Sequence, residues 1–370
     1  MSENIGSEEE MLEAITALVP PLLNAMDALS FLARRLHPPK LAELIEAVGP
    51  VDAPVREGLA EFQAQDWPQH LTRFAEQVEL AAETVLKAFD GLHGAAENAR
   101  KGAPDAVFST YRALRYMSRA FEALYPVATI LPPVSRFFLD EEHRGDEKRA
   151  AALTGPQALR DNVGLLHGEN EKHQRGGFSL YVPEDFSPEK KYPLIIALHG
   201  GSGHGRDFVW SWLFHARARG LMVLAPTART DTWALTGDDI DTPNIMRFLD
   251  FVKARWPIDE EKMLLTGMSD GGTFCYVSGL LEGSPFTHLA PVSAAFHPLL
   301  AEAASPERLA GLPIRLTHGS LDWMFPVPMA REAETALARA GANVLLDEIE
   351  DLSHTYPREA NGRILDWFLG

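Results

Sequence analysis

Apolar residues recur three or four positions apart through much of the first 150 residues, a spacing that places them on one face of an α-helix. Three such stripes occupy residues 12–29, 67–92 and 108–124. The first of them is interrupted by Pro20 and Pro21, because proline is poorly tolerated inside a helix. Amphipathic helices bury their apolar faces against one another, so residues 1–150 are predicted to form an all-α N-terminal bundle.

Short apolar runs alternate with helical patterns in the second half of the chain. Residues 151–174 are charged and polar without sustained periodicity, and they are interpreted as a linker. Strands are predicted at 178–182, 194–198, 221–225, 263–266, 289–293, 314–317 and 344–349, and helices at 244–254, 271–281 and 329–340. Alternating strands and helices predict an α/β domain over residues 175–370, with a mostly parallel sheet flanked by helices.

Composition and charge restrict the class of protein. The 370 residues are 46% hydrophobic and 23% charged, as in an ordinary soluble protein, and the formal net charge of −18 at pH 7 disfavours nucleic acid as a partner. Residues 1–10 are acidic and lack the basic and apolar regions of a secretory signal, and no later apolar stretch approaches membrane-spanning length. We therefore expect a cytoplasmic protein without integral membrane contact.

Cofactor and metal motifs are not found in the sequence. The single cysteine, Cys275, leaves no partner for an intramolecular disulfide and no multi-cysteine metal site, and its place in a predicted helix favours a buried apolar role. The glycine-rich segment 201–206 ends in Arg206, where a dinucleotide fingerprint requires a small residue. Neither a phosphate-binding P-loop nor an H-E-x-x-H zinc motif occurs. No metal and no organic cofactor are expected.

Residues 267–271, Gly-Met-Ser-Asp-Gly, fit the G-x-S-x-G pattern of a turn that lifts a nucleophilic serine out of a strand end and onto a helix N-terminus. The surroundings agree, because a predicted strand enters the motif and a predicted helix leaves it. Upstream, the predicted strand 194–198 runs into His199-Gly200-Gly201, a turn that can offer backbone N–H groups to a developing oxyanion. Ser269 is therefore the candidate nucleophile.

A nucleophilic serine needs a base, and the base needs an acid that orients it. Asp322 follows the predicted strand 314–317 and His354 follows the predicted strand 344–349, which completes the order Ser, Asp, His. The rival acids are Asp351, close to His354 in sequence, and Asp347; the rival bases are His199 and His318, each of which precedes a turn of small residues.

These motifs resemble the α/β-hydrolase superfamily, and within it the compact carboxylesterase/phospholipase and polyhydroxybutyrate-depolymerase or feruloyl-esterase-like serine esterases. The resemblance covers residues 175–370. It implies that Ser269 attacks an acyl carbon, that His354 transfers the proton, and that Asp322 stabilises the imidazolium. It further implies an oxyanion hole formed by the N–H groups of Gly201 and Asp270.

Two features qualify this resemblance. Asp270 places a carboxylate directly after the nucleophile, where it would repel an oxyanion unless it pointed away, as we expect it to do. Ser269 and Asp322 are also too close in sequence for the remaining elements of the fold plus a substantial inserted cap, so the catalytic domain is expected to be minimal.

The substrate pocket is less readable. Five aromatic residues near expected active-site loops are candidates for its wall: Trp210, Trp233, Phe296, Trp323 and Phe325, with Trp233 and Trp323 preferred and core packing as the alternative for each. The N-terminal helices are expected to act as a lid, as a surface for a homo-oligomer, or as a bundle docked elsewhere.

The expected function is hydrolysis of a carboxylic ester, in a small molecule or a polymer, through an acyl-enzyme. Aryl, lipid, polyester and thioester substrates stay open, since pocket shape cannot be read from one sequence. A serine peptidase of the same fold and an inactive hydrolase-fold scaffold are the alternatives.

Overall fold

The computed structural model describes residues 2–103 and 105–370, without the side chains of residues 2–7 and 156. The chain divides into two compact units, Met1–Phe138 and Leu139–Gly370. This division precedes the predicted boundary at residue 150. Leu139 and Leu153 form a small apolar cluster with Ala218, and Asp140 pairs with Arg219, so the chain from residue 139 onward packs with the second unit.

The first unit is helical, as predicted. Its helices are α1 (Ser2–Arg35), α2 (Leu41–Val48), α3 (Ala53–Gln63), α4 (Thr72–Arg100), α5 (Ala106–Leu124) and α6 (Pro132–Phe137). Helices α4 and α5 pack along each other, and α1 packs against α3. The apolar stripes supply the buried side chains, among them Leu22, Val85 and Phe121.

Helix α1 continues through Pro20 and Pro21, contrary to the interruption read from the sequence. Leu18, Val19 and Leu22 beside the prolines are almost fully buried, so the burial of this stripe outweighs the backbone hydrogen bonds that proline cannot donate. By length and composition, the segment Glu8–Arg35 could also cross a membrane, contrary to the prediction that no later apolar stretch approaches membrane-spanning length. The core helices of soluble proteins have the same property.

The second unit contains one eight-stranded sheet in the order β1-β2-β4-β3-β5-β6-β7-β8. The strands are β1 (Gly164–Gly168), β2 (Phe178–Val182), β3 (Tyr192–Leu198), β4 (Met222–Pro226), β5 (Ile258–Met268), β6 (His288–Val292), β7 (Pro313–Gly319) and β8 (Asn343–Ile349). Strands β1, β2 and β4 pair antiparallel, and every pair from β4 to β8 is parallel. The predicted mostly parallel sheet is confirmed.

Seven of the eight strands overlap the predicted ones, and the exception, β1, lies inside the segment interpreted as a linker. The helices of this unit are α7 (Glu147–Ala152), α8 (Gly205–Phe208), α9 (Trp210–Arg219), α10 (Asp241–Lys253), α11 (Asp270–Gly279), α12 (Leu299–Ala303), α13 (Pro306–Leu309), α14 (Val327–Arg339) and α15 (Ala360–Leu369). Side chains such as Ile196, Leu265 and Phe274 fill the core between sheet and helices. Because β3 and β5 to β8 run parallel, their carboxyl ends meet at one edge.

Candidate active site

Ser269 occupies a tight turn between β5 and α11, with a backbone φ of 54° that side-chain-bearing residues seldom adopt. Its N–H donates to the carbonyl of Val292 at the end of the neighbouring strand β6, at 3.0 Å. The turn requires Gly271, because a Cβ there would lie 2.4 Å from the carbonyl oxygen of Leu198. The serine is thereby held at the carboxyl edge of the sheet.

Ser269, His354 and Asp322 form a continuous chain of hydrogen bonds. Nε2 of His354 lies 3.0 Å from Oγ of Ser269, and Nδ1 lies 2.9 Å and 3.1 Å from the two carboxylate oxygens of Asp322. All three residues are buried. When Nδ1–H donates to the carboxylate, Nε2 is left to accept the serine proton, which is the tautomer that a base requires.

The carboxylate of Asp322 is further fixed by its own loop. Its Oδ1 accepts hydrogen bonds from the N–H groups of Met324 at 2.9 Å and Phe325 at 2.8 Å. Burial alone would raise the pKa of Asp322, but the hydrogen bonds from His354 and Phe325 and the nearby imidazoles of His354 and His318 together lower it. Asp322 is therefore held as a carboxylate beside the imidazole.

Three of the four rival residues have other hydrogen-bond or ion-pair partners, and the fourth is exposed. Asp351 is exposed, and Asp347 forms an ion pair with Arg315. Nδ1–H of His199 donates to the Gly200 carbonyl, and its Nε2 accepts from the N–H of Ala228. Nε2–H of His318 donates to the carbonyl of Phe325. The structure thus brings Ser269 together with His354 and Asp322, as the sequence predicted, while their catalytic roles stay a prediction.

The glycine turn after β3 lies beside the serine. A Cβ at Gly200 would be 3.5 Å from Cβ of Ser269, and a Cβ at Gly201 would be only 2.7 Å from the Asp270 carboxylate. In the described part of the chain, the N–H groups of Gly201 and Asp270 donate to no protein acceptor. The carboxylate of Asp270, expected to point away from the oxyanion site, lies against Gly201 and accepts a hydrogen bond of 2.5 Å from the hydroxyl of Thr232.

Trp233 is buried against the start of this turn, and its place in the wall of a substrate pocket stays a prediction. It is 3% exposed, stacks on Phe274, contacts the ring of His199 at a tilt, and donates its indole N–H to the His199 carbonyl at 2.7 Å. Trp210 and Phe296 are also buried, at 1% and 7% exposure. These three residues fill the interior because an indole or phenyl ring gains most when it is fully packed.

The other two aromatic candidates lie on the loop that carries Asp322. Trp323 is 42% exposed, so its predicted part in substrate binding stays open. Phe325 is half-buried, and its ring meets the ring of His354 edge to face at 5.3 Å. The backbone of Phe325 and the hydroxyl of Thr232 are the contacts that sequence reasoning missed, since neither carries a motif signal.

Two observations concern possible metals or cofactors. Cys275 is buried, its Sγ donates to the Gly271 carbonyl, and burial raises the pKa of its thiol. Among the described residues, no cluster of three or more histidine, cysteine or acidic side chains could hold a metal ion.

Residues 241–367 match the sequence model of the Phospholipase/Carboxylesterase family. A bifunctional acetylxylan esterase/xylanase of Neocallimastix patriciarum is 28% identical over 147 residues, 39% of this chain and 21% of that protein. A probable feruloyl esterase C of Aspergillus terreus is 30% identical over 124 residues, 31% of this chain and 45% of that protein. The chain thus spans less than half the length of either relative.

Among solved structures, a thermostable esterase superposes with a TM-score of 0.46 at 20% identity, over 58% of this chain and 64% of that one. The family match contains Ser269, Asp322 and His354 together with strands β5 to β8. The second unit has the α/β-hydrolase fold, and its residues 241–367 are similar to the Phospholipase/Carboxylesterase family.

Proposed function

We propose that the chain hydrolyses carboxylic esters through an acyl-enzyme on Ser269. The observation that carries the proposal is the hydrogen-bond chain from Ser269 through His354 to Asp322. Beside it lie the N–H of Asp270 in the nucleophile turn and the N–H of Gly201 in the glycine turn, neither of which donates to an acceptor among the described residues. Nucleophile, base and acid then stand in the geometry that acyl transfer requires.

In the first half of the reaction, Oγ of Ser269 forms a bond to the ester carbonyl carbon while its proton moves to Nε2 of His354. The carbonyl oxygen becomes an oxyanion, which accepts hydrogen bonds from the N–H groups of Gly201 and Asp270. The carbon–oxygen bond to the alcohol then breaks, and the imidazolium gives its proton to the departing oxygen. Asp322 stabilises the positive charge on the ring throughout.

In the second half, a water molecule replaces the alcohol beside His354. Nε2 takes a proton from the water as its oxygen attacks the acyl carbon, and the released Oγ of Ser269 regains a proton from the ring. The carboxylic acid leaves, and the enzyme returns to its starting state without a cofactor.

The proposal is tested with p-nitrophenyl esters of increasing acyl length, with methyl ferulate and acetylated xylan added because the curated relatives are named for such esters. The purified protein should release p-nitrophenol, and Ser269→Ala should reduce kcat to background while Ser320→Ala, at an exposed serine on the same edge, should not. A fluorophosphonate should add to Ser269 of the native protein, as located by peptide mass. Turnover that survives in Ser269→Ala would overturn the proposed mechanism.

A further inference from the structure

The loop that follows β7 has an unusual distribution of apolar side chains. We call residues 320–326 the acid loop, because it carries Asp322. The side chain of Asp322 is fully buried, whereas Leu321, Trp323 and Met324 are 44%, 42% and 45% exposed. Three of the exposed large apolar side chains of this unit therefore lie within four consecutive positions, around a buried charge.

The acid loop is firmly held. Asp322 accepts the N–H groups of Met324 and Phe325, and the carbonyl of Phe325 accepts from His318 at 2.7 Å. At its start, the N–H of Leu321 donates to the carbonyl of Leu352, two residues before His354. The exposed apolar side chains are thus mounted on a loop that is tied both to the acid and to the segment carrying the base.

The direction of proton transfer indicates where the alcohol half of the ester lies. In the proposed reaction, His354 passes its proton to the oxygen of the departing alcohol, so the alcohol must lie beside the imidazole. The ring of Phe325 contacts that imidazole edge to face at 5.3 Å. The acid loop thus contacts the imidazole that protonates the departing oxygen.

The size of the feature also fits a substrate group. Leu321 and Met324 are three residues apart, so their Cα atoms are at most about 11 Å from each other. An apolar surface on that scale matches an aryl or alkyl group, whereas a stable protein interface buries roughly 800 Å² on each partner.

We propose that Leu321, Trp323 and Met324, continued inward by Phe325, form the binding surface for the alcohol half of the ester, and that the substrates are esters of apolar or aryl-bearing alcohols. This inference rests on the proposed function and refines it. Trp323 provides the largest contact surface and is the principal determinant of specificity.

The test uses two series of esters in a pH-stat assay of kcat/KM, which reports the acylation step. In the first, the acyl group is acetyl and the alcohol is ethanol, 2-cyclohexylethanol or 2-phenylethanol, whose hydroxyl groups are similar in acidity. In the second, the alcohol is ethanol and the acyl group grows from acetyl to octanoyl. The proteins are wild type, Trp323→Ala, Met324→Ala and, as a control, Leu345→Ala on the edge strand β8, where leucine is 44% exposed.

The wild type should prefer the larger alcohols, and Trp323→Ala should reduce this preference by about tenfold, the effect of losing a partly buried aromatic contact. Its dependence on acyl length should stay unchanged, and Leu345→Ala should behave as wild type. A change in the acyl series alone, or an equal rate for all alcohols in the wild type, would overturn the inference while leaving ester hydrolysis intact. If the wild type turned over no ester at all, the proposed function would fail first and this inference with it.

Discussion

Replacing Asp322 by asparagine should disable His354 through its tautomer while leaving the fold in place. Oδ1 of Asp322 accepts two backbone N–H groups, so the amide oxygen of the asparagine must take that position. The amide NH₂ then takes the position of Oδ2, 2.9 Å from Nδ1 of His354. Because Nδ1 then faces a donor, it must accept a hydrogen bond, and the ring proton moves to Nε2. The protonated Nε2 can no longer receive the proton of Ser269.

The loss of kcat/KM expected for Asp322→Asn follows from two effects. Loss of a carboxylate about 4 Å from the imidazolium centre removes about 4 kcal/mol of charge stabilisation at an effective dielectric constant of about 20. A neutral hydrogen bond of about 1 to 1.5 kcal/mol must also be broken to restore the productive tautomer. Together they predict that kcat/KM falls by about 10⁴-fold.

The assay is p-nitrophenyl ester hydrolysis by Asp322→Asn beside Asp351→Asn and Asp347→Asn, with thermal unfolding as a check on folding. The two control variants should hydrolyse the ester at rates within a few-fold of the wild-type rate, because substitutions away from a site usually have small effects. An Asp322→Asn variant with more than a tenth of the wild-type rate, or an Asp351→Asn variant that is equally impaired, would refute the assignment of the acid.

Three further predictions concern other parts of the α/β unit. Burial lowers the pKa of His215 to about 3, so below about pH 6.5 the unfolded chain binds a proton that the folded chain excludes. Stability is therefore lost as the pH falls from 6.5 toward 3, by roughly 2 kcal/mol at pH 5, and urea titrations of His215→Leu should lack this loss. Gly201→Ala would place a Cβ 2.7 Å from the Asp270 carboxylate and displace the glycine turn. We expect kcat to fall about 10²-fold while the midpoint of unfolding stays unchanged. A normal kcat would show that Gly201 is not part of the oxyanion site. Glu184→Gln should lower the free energy of unfolding in urea by about 3 kcal/mol, because it removes the charge that pairs with the fully buried guanidinium of Arg217. Replacing both residues by leucine should recover part of that loss.

Much of the fold was predictable because local pattern and tertiary role agree in it. The strands of the parallel sheet are buried on both faces and read as continuous apolar runs, such as Leu194 to Leu198. Strand β1 was missed because an edge strand is only half buried: its sequence, Gly-Leu-Leu-His-Gly, is short and flanked by polar residues. The helix through Pro20 and Pro21 was missed because proline acts locally, whereas the burial that overrides it depends on helices far along the chain.

The candidate site was predictable where chemistry dictates residue type and order. Ser269, Asp322 and His354 follow three separate strands whose carboxyl ends meet, so the order of the motifs was enough to bring them together. The bond between Thr232 and Asp270 joins positions 38 residues apart through the tertiary fold, and nothing in either segment signals it. The contacts of Trp233 could not be predicted for the same reason, because a tryptophan near a loop gives the same sequence signal whether it faces a pocket or packs against a turn.

Backbone strain in this unit is concentrated at the carboxyl edge of the sheet. Among the described residues, four other than glycine have positive φ, and three of them are serines at this edge. Ser269 and Ser293 directly follow β5 and β6, and Ser202 lies in the turn after β3. Each such conformation costs on the order of 1–3 kcal/mol, which glycine would avoid. Natural selection for stability alone would therefore replace these serines by glycine. In a lineage that kept the fold but lost the activity proposed for Ser269, replacement of Ser269 by glycine would relieve backbone strain without a functional cost.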